Sequence, residues 1–239
     1  MNGNTSMTAQ AERLSDAATL AIQWKSTDWN HAEAVVNRLQ ARIAKATQEK
    51  KWHTVKRLQY LLTHSYYAKL LAVRKVTTNK GKNTSGVDKE LWSTPASKMR
   101  AVLSLTDKGY KARPLRRVYI DKKGKKAKRP LGIPTMYDRA MQALYALALD
   151  PVSEVTADKH SFGFRKGRCA QDACEYAFSY FARKVSPEWV LEGDIKGCFD
   201  NISHDWLIEN IPMDKSVLKQ FLKAGFVFKG DLFPTDDGT

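Results

Sequence analysis

Cysteine is scarce: Cys169, Cys174 and Cys198 are the only 3 in 239 residues. An odd count without Cys-x-x-Cys spacing argues against a disulfide framework or a thiolate zinc site, and fits a reducing, cytoplasmic setting. No apolar run approaches the roughly 18 to 20 residues of a membrane span, so no membrane partner is expected. Residues Met1 to Gln10 are polar and lack the charged-then-apolar order of a signal peptide. Negative charge is also short, with 25 Asp and Glu against 40 Lys and Arg, a formal net charge of +15. An excess of that size points to a polyanionic partner, and without membrane signals the favoured polyanion is nucleic acid. Internal repeats and low-complexity tracts are missing.

Glycine and proline are absent from Met7 to Thr78, and helical periodicity fills that stretch. Asp28 or Thr27 can cap a helix with Ala32, Val35, Leu39, Ile43 and Ala46 on one stripe. A longer helix is expected to carry Val55, Leu58, Leu61, Leu62, Tyr66, Leu70 and Val73, so the two read as an antiparallel pair. Their opposite faces, with Arg38, Arg42, Lys45, Lys50, Lys51, Lys56 and Arg57, are either ordinary solvated surface or an RNA-facing one. Asn79 to Asp88 is turn chemistry without periodicity, hence a loop. Ser93-Thr94-Pro95 opens a short helix to about Leu105, with proline in the first turn where its missing N–H costs nothing.

The densest positive segment follows, from Lys108 to Arg129. Leu115 to Ile120 and Arg129 to Ile133 read as strands of a hairpin with Asp121 to Lys126 at its tip. A basic β-finger is expected; the alternative is that tip lysines only protect a sheet edge. Thr135 can cap a buried helix from Met136 to about Asp150. Ser161 to Arg168, Ser-Phe-Gly-Phe-Arg-Lys-Gly-Arg, is a glycine-punctuated basic loop whose two phenylalanines either contact nucleic acid or anchor the loop to the core. A helix from about Ala170 to Arg183 follows.

Trp189 to Leu191 is apolar on successive residues, as in a strand covered on both faces, and it leads through Glu192 and Gly193 to Asp194. Ser203 caps a following helix from His204. A carboxylate at a strand end ahead of a tight turn is a site for Mg²⁺. Val217 to Phe221 continues a short helix, and Phe226 to Phe233 reads as a second hairpin.

In order along the chain, these segments resemble the first part of a bacterial group II intron reverse transcriptase, also called a maturase. The resemblance is carried by Asn-Lys-Gly-Lys-Asn-Thr-Ser-Gly-Val-Asp at 79–88, with Ser85 where proline is more usual. It continues through Arg116 to Ile120 with Lys128 to Thr135, then Ser161 to Arg168, then Gly-Asp-Ile-Lys-Gly-Cys-Phe-Asp at 193–200. Pro234 to Thr239 is similar to the start of the next block. The resemblance implies an α+β fold: a helical N-terminal extension and loop over 1–88, fingers over 89–188, and a partial, incomplete palm sheet over 189–239. It implies a catalytic and metal-binding Asp194, with the Ile195 carbonyl as an adjacent ligand of Mg²⁺. Phe199 corresponds to the family's sugar-gate aromatic, and Arg129 with Lys122 or Lys123 to a grip on the incoming dNTP. RNA contact falls to Lys80, Lys82, Arg116, Arg117, Arg165 and Arg168. Implied partners are group II intron RNA or another structured RNA template, with dNTP and primer in the complete enzyme.

The family's other two metal carboxylates come from a Tyr-x-Asp-Asp block, which does not occur before Thr239. One carboxylate does not hold two Mg²⁺ against water, so the polypeptide alone is expected not to polymerise, and a complementing C-terminal polypeptide becomes a possible partner. A binding module that grips and folds intron RNA without catalysis is the competing reading. A nuclease using Asp194 with Glu192 and Asp200 is a third, since Glu192 and Asp194 share one face of a strand.

Overall fold

A computed structural model describes residues 16–121, 124, 128–236 and 238. The first helix, α1, occupies 16–25 of these. It is followed by α2 (Trp29–Gln48), α3 (Trp52–His64), α4 (Tyr66–Thr78) and α5 (Pro95–Ser104). The hairpin β1 (Leu115–Asp121) and β2 (Lys128–Ile133) leads into the long α6 (Met136–Thr156). After α7 (Ala170–Phe181) come α8 (His204–Asn210), α9 (Lys215–Leu222), β3 (Phe226–Phe228) and β4 (Asp231–Phe233). The architecture is α+β: a helical body and one four-stranded sheet in the order β2-β1-β3-β4.

Local chemistry sets most helix starts. Asp28 accepts from the His31 N–H, Thr135 from the Asp138 N–H, and Ser203 from the Trp206 N–H, each closing an otherwise unpaired first-turn donor. Thr94 and Ser97 form a reciprocal capping box beneath Pro95.

The core lies where α2, α3 and α4 pack on α6. Val36, Ile43, Leu62, Leu70, Val73, Met141 and Leu144 are all at most 2% exposed there. Each such side chain contributes roughly 1.5–3 kcal/mol through burial. The expected long second helix is broken: Ser65 is extended (φ −68°, ψ 130°) and serves both as the C-cap of α3 and the N-cap of α4. Thr63 Oγ1 and His64 Nδ1 both bond the Tyr60 carbonyl, the local competition that ends a helix. The break shifts the phase of α4, so Tyr66 is exposed and Ala68 takes the core position. Leu61, one position from the Val55–Leu58–Leu62 stripe, is exposed as well.

Helix α6 runs past the expected Asp150 because Pro151 is tolerated inside it. Proline has no N–H, so the Leu147 carbonyl loses its intrahelical donor. Gln40 of α2 replaces that donor, its Nε2 lying 2.7 Å from the Leu147 oxygen. Gln59 of α3 reaches the next carbonyl, Ala148, at 3.2 Å.

The hairpin pairs Arg116 with Ile133 and Asp121 with Lys128 in antiparallel register, and β1 also pairs in parallel with β3. The expected second hairpin is β3 and β4. Burial falls along β1 from half-buried over Leu115–Val118 to exposed over Tyr119–Asp121, so the distal half of the ribbon stands clear of the body.

The expected buried strand at Trp189–Asp194 does not form. These residues are irregular, and Trp189 and Leu191 are 92% and 96% exposed. Among the described residues no strand lies beside them, so neither the ladder bonds nor the cover that such an apolar run requires is present.

Candidate nucleic-acid interface

The basic side chains sort into those that build the surface and those that face solvent. Gly86 brings the 79–88 loop against the start of α6 so closely that a Cβ there would sit 2.7 Å from the Thr135 backbone. Two arginines then fix the loop. Arg116 donates from Nε and an Nη to the Ser85 carbonyl, at 3.0 and 2.8 Å. Arg139 donates to the carbonyls of Pro134 and Gly81, each at 3.0 Å, and to that of Thr84. Burial, and then the neighbouring Arg116, pull the Arg139 pKa below its ordinary value. Arg139 was not singled out from the sequence, yet it occupies the first turn of a helix, where the dipole disfavours a cation. That mismatch was the available signal.

Lys80 and Lys82, on the same loop, are exposed and make no ion pair among the described residues. Nearby, Asp138 ties the 110–113 segment to the start of α6, and Arg113 in turn pairs with Asp88 at the end of the loop. The buried Asp138 carboxylate accepts from Tyr110 Oη at 2.7 Å, Thr135 Oγ1 at 2.6 Å and the Arg113 N–H at 3.3 Å. Burial first, then this hydrogen bond, push the Tyr110 hydroxyl pKa well up.

On the ribbon, Arg117 does not point at solvent: its guanidinium lies 3.9 Å from the centroid of Phe226, joining β1 to β3. Its Nε is buried without a hydrogen-bond partner. Arg129 is exposed opposite Ile120 on the outer half of β2. Lys122 and Lys123 lie outside the described residues.

The 161–168 loop also spends its arginines internally. Arg165 and Arg168 both pair with Glu154, at 2.6 and 2.8 Å, and bond the carbonyls of Asp158, Lys159 and Ser161. Arg165 and then Arg168 hold the Glu154 pKa below the usual carboxylate range. Lys166 pairs with Asp150. The two phenylalanines divide: Phe162 packs on Tyr176 at 6.0 Å, whereas Phe164 is wholly exposed.

Asp194, Ile195 and Phe199 are all exposed. Phe199 lies in a single 3₁₀ turn, Cys198–Asn201, entered through Gly197 at φ 61°. Among the described residues no three His, Cys, Asp or Glu side chains converge as a metal site. The donors present therefore do not fit a Mg²⁺ centre, nor do Glu192, Asp194 and Asp200 form a nuclease-like cluster. Within the described part of the chain, Asp194 is brought together with none of the nucleotide-binding candidates by a hydrogen bond or ion pair.

A carbonyl-clamped basic loop thus lies beside a projecting β-ribbon, ahead of an irregular segment that bears Asp194. Residues 24–105 match the N-terminal domain of reverse transcriptase, and residues 120–233 match the reverse transcriptase (RNA-dependent DNA polymerase) domain. The chain thus carries both reverse transcriptase domains and is homologous to proteins encoded within introns. It is 36% identical over 209 residues to the group II intron-encoded protein LtrA of Lactococcus lactis subsp. cremoris, covering 83% of this chain and 34% of that one. It is 30% identical over 182 residues to an uncharacterized 91 kDa protein in the cob intron of Schizosaccharomyces pombe, covering 71% and 22%. Protein YkfC of Escherichia coli is 28% identical over 209 residues, covering 82% and 54%. The chain therefore spans about a third of LtrA. For the reverse transcriptase family a divalent metal is generally expected. No described helix is long and apolar enough to cross a membrane.

Proposed function

We propose that this chain is the RNA-gripping, N-terminal portion of a group II intron reverse transcriptase acting in the cytoplasm, and that it does not polymerise unaided. The observation that carries the reading is the set of arginines bonded to carbonyls. Arg116 and Arg139 are held by neutral acceptors, so the loop and ribbon keep their positive charge while gaining a fixed shape. Such a surface suits structured intron RNA, recognised through its phosphates, with exposed Lys80, Lys82 and Arg129 free to reach them.

The proposed division is a helical extension over 1–88, fingers over 89–188 and a palm portion over 189–239. Asp194 would contribute one carboxylate of the polymerase centre, and Phe199 and Arg129 would meet the dNTP. Primer and template would be engaged only once the remaining carboxylates are supplied. The uncovered run at Trp189–Leu191 supports completion by further polypeptide, continuous with this chain or separate from it.

The test is RNA binding by the 239-residue chain across a salt series, alongside primer extension with dNTPs and Mg²⁺. Binding should fall by about a thousandfold or more between roughly 50 and 200 mM salt, as counterion release requires for six or more phosphate contacts, and extension should be blank. Salt-independent or absent binding would overturn the reading, and robust cDNA synthesis would overturn its second half. Asp194→Ala should leave the chain's RNA affinity unchanged.

A further inference from the structure

The 158–168 loop holds one ring clear of the other described residues. Phe164 has a backbone φ of 60°, a left-handed conformation that disfavours a residue carrying Cβ, and its relative exposure is 109%. That geometry is imposed, because Arg165 and Arg168 on either side of Gly167 are both tied to Glu154. A non-glycine residue held in this region by surrounding contacts is a reason to look for a ligand.

A second set of rings lies beside the loop. His160 stacks on Tyr176 with centroids 4.4 Å apart, and Tyr176 meets Tyr180 at 4.5 Å. They form a ladder on α7, a helix with no buried residue. Exposed Lys159, Arg183 and Lys184 flank it.

We infer that Phe164 and the Tyr176–Tyr180 ladder form a stacking platform for unpaired nucleobases of RNA. The chemistry is specific to single strands: each ring offers a π-face to a base already free of its own stack, while the flanking cations follow the backbone. A duplex presents no such faces and would engage only the charges. The platform rests on the RNA-binding function proposed above and assigns it a strand preference.

The experiment compares a short single-stranded RNA carrying 2-aminopurine with a fully paired hairpin RNA of the same length. Phe164→Ala and Tyr180→Ala remove exposed rings, so far-UV circular dichroism should match the parent chain. Each should weaken single-strand binding about tenfold, reduce 2-aminopurine quenching, and change hairpin binding less than twofold. Phe164→Trp should restore binding. Equal losses for both RNAs, or no loss for either, would overturn the platform while leaving general RNA binding intact. If the parent chain bound neither RNA, the function on which the platform rests would fall with it.

Discussion

Removing the Gln40 amide should destabilise the fold only as long as Pro151 is present. Pro151 denies the Leu147 carbonyl its α-helical donor, and Gln40 Nε2 supplies one at 2.7 Å across the α2–α6 contact. A carbonyl left unpaired in this part-buried setting costs about 1–3 kcal/mol, which is the expected loss for Gln40→Ala. In a Pro151→Ala background residue 151 regains an N–H, the Leu147 oxygen can be satisfied within α6, and the same substitution should cost less than about 0.5 kcal/mol. The double-mutant cycle should therefore show a coupling of about 1–2 kcal/mol. Gln59→Ala is the internal control. Its acceptor, Ala148, still faces the N–H of Val152 four residues on, so its cost should be independent of residue 151. Urea unfolding followed by far-UV circular dichroism reads the parent and the five variants of the two cycles. Additive effects of Gln40→Ala and Pro151→Ala, within about 0.5 kcal/mol, would refute the argument.

Asp138→Ala should cost about 3 kcal/mol or more, because it strands the Tyr110 hydroxyl, the Thr135 hydroxyl and the Arg113 N–H together, whereas Tyr110→Phe should cost about 1–1.5 kcal/mol in the same unfolding assay. Gly86→Ala should push the 79–88 loop off the Thr135 backbone, at about 1–3 kcal/mol, and increase protease cleavage within the loop. The Glu154 carboxyl has a folded pKa below its unfolded value, so its clamp on Arg165 and Arg168 is fully present above the ordinary glutamate pKa and is lost as pH falls through the lowered one. Arginine side-chain NMR signals of the loop should thus be ordered at neutral pH and broaden only below the ordinary glutamate range; Glu154→Gln should abolish that transition.

Helix caps and hairpins were legible in the sequence because they are settled within a few residues. Asp28, Thr94, Thr135 and Ser203 each act on a backbone N–H three positions away. The ribbon followed from two apolar-basic segments around turn residues, and its register needed only the pairing of Arg116 with Ile133. The Ser65 break was not legible, since both halves carry apolar residues at helical spacing and the bonds of Thr63 and His64 to the Tyr60 carbonyl leave no mark on that spacing. The Trp189–Leu191 run was misread for a related reason: its composition describes a covered strand, but cover is supplied by neighbours, and none is present among the described residues. For the candidate site, charge density picked out segments but not side-chain directions. It did not separate Arg116, Arg117, Arg165 and Arg168, which organise the surface, from Lys80, Lys82 and Arg129, which stand on it. Direction of a side chain is a tertiary property.

The carbonyl-bound arginines of the 79–88 loop have a consequence for handling the protein. Hydrogen bonds at 2.8–3.0 Å are too short to be screened, whereas attraction to a polyphosphate acts over a Debye length of about 3 Å at 1 M salt and about 10 Å at 0.1 M. On the function proposed above, brine should therefore strip nucleic acid from the chain without loosening the 79–88 loop. A preparation made at low ionic strength would carry host RNA and absorb strongly at 260 nm, and a single concentrated-salt wash would return a clean scaffold ready to be reloaded on dilution.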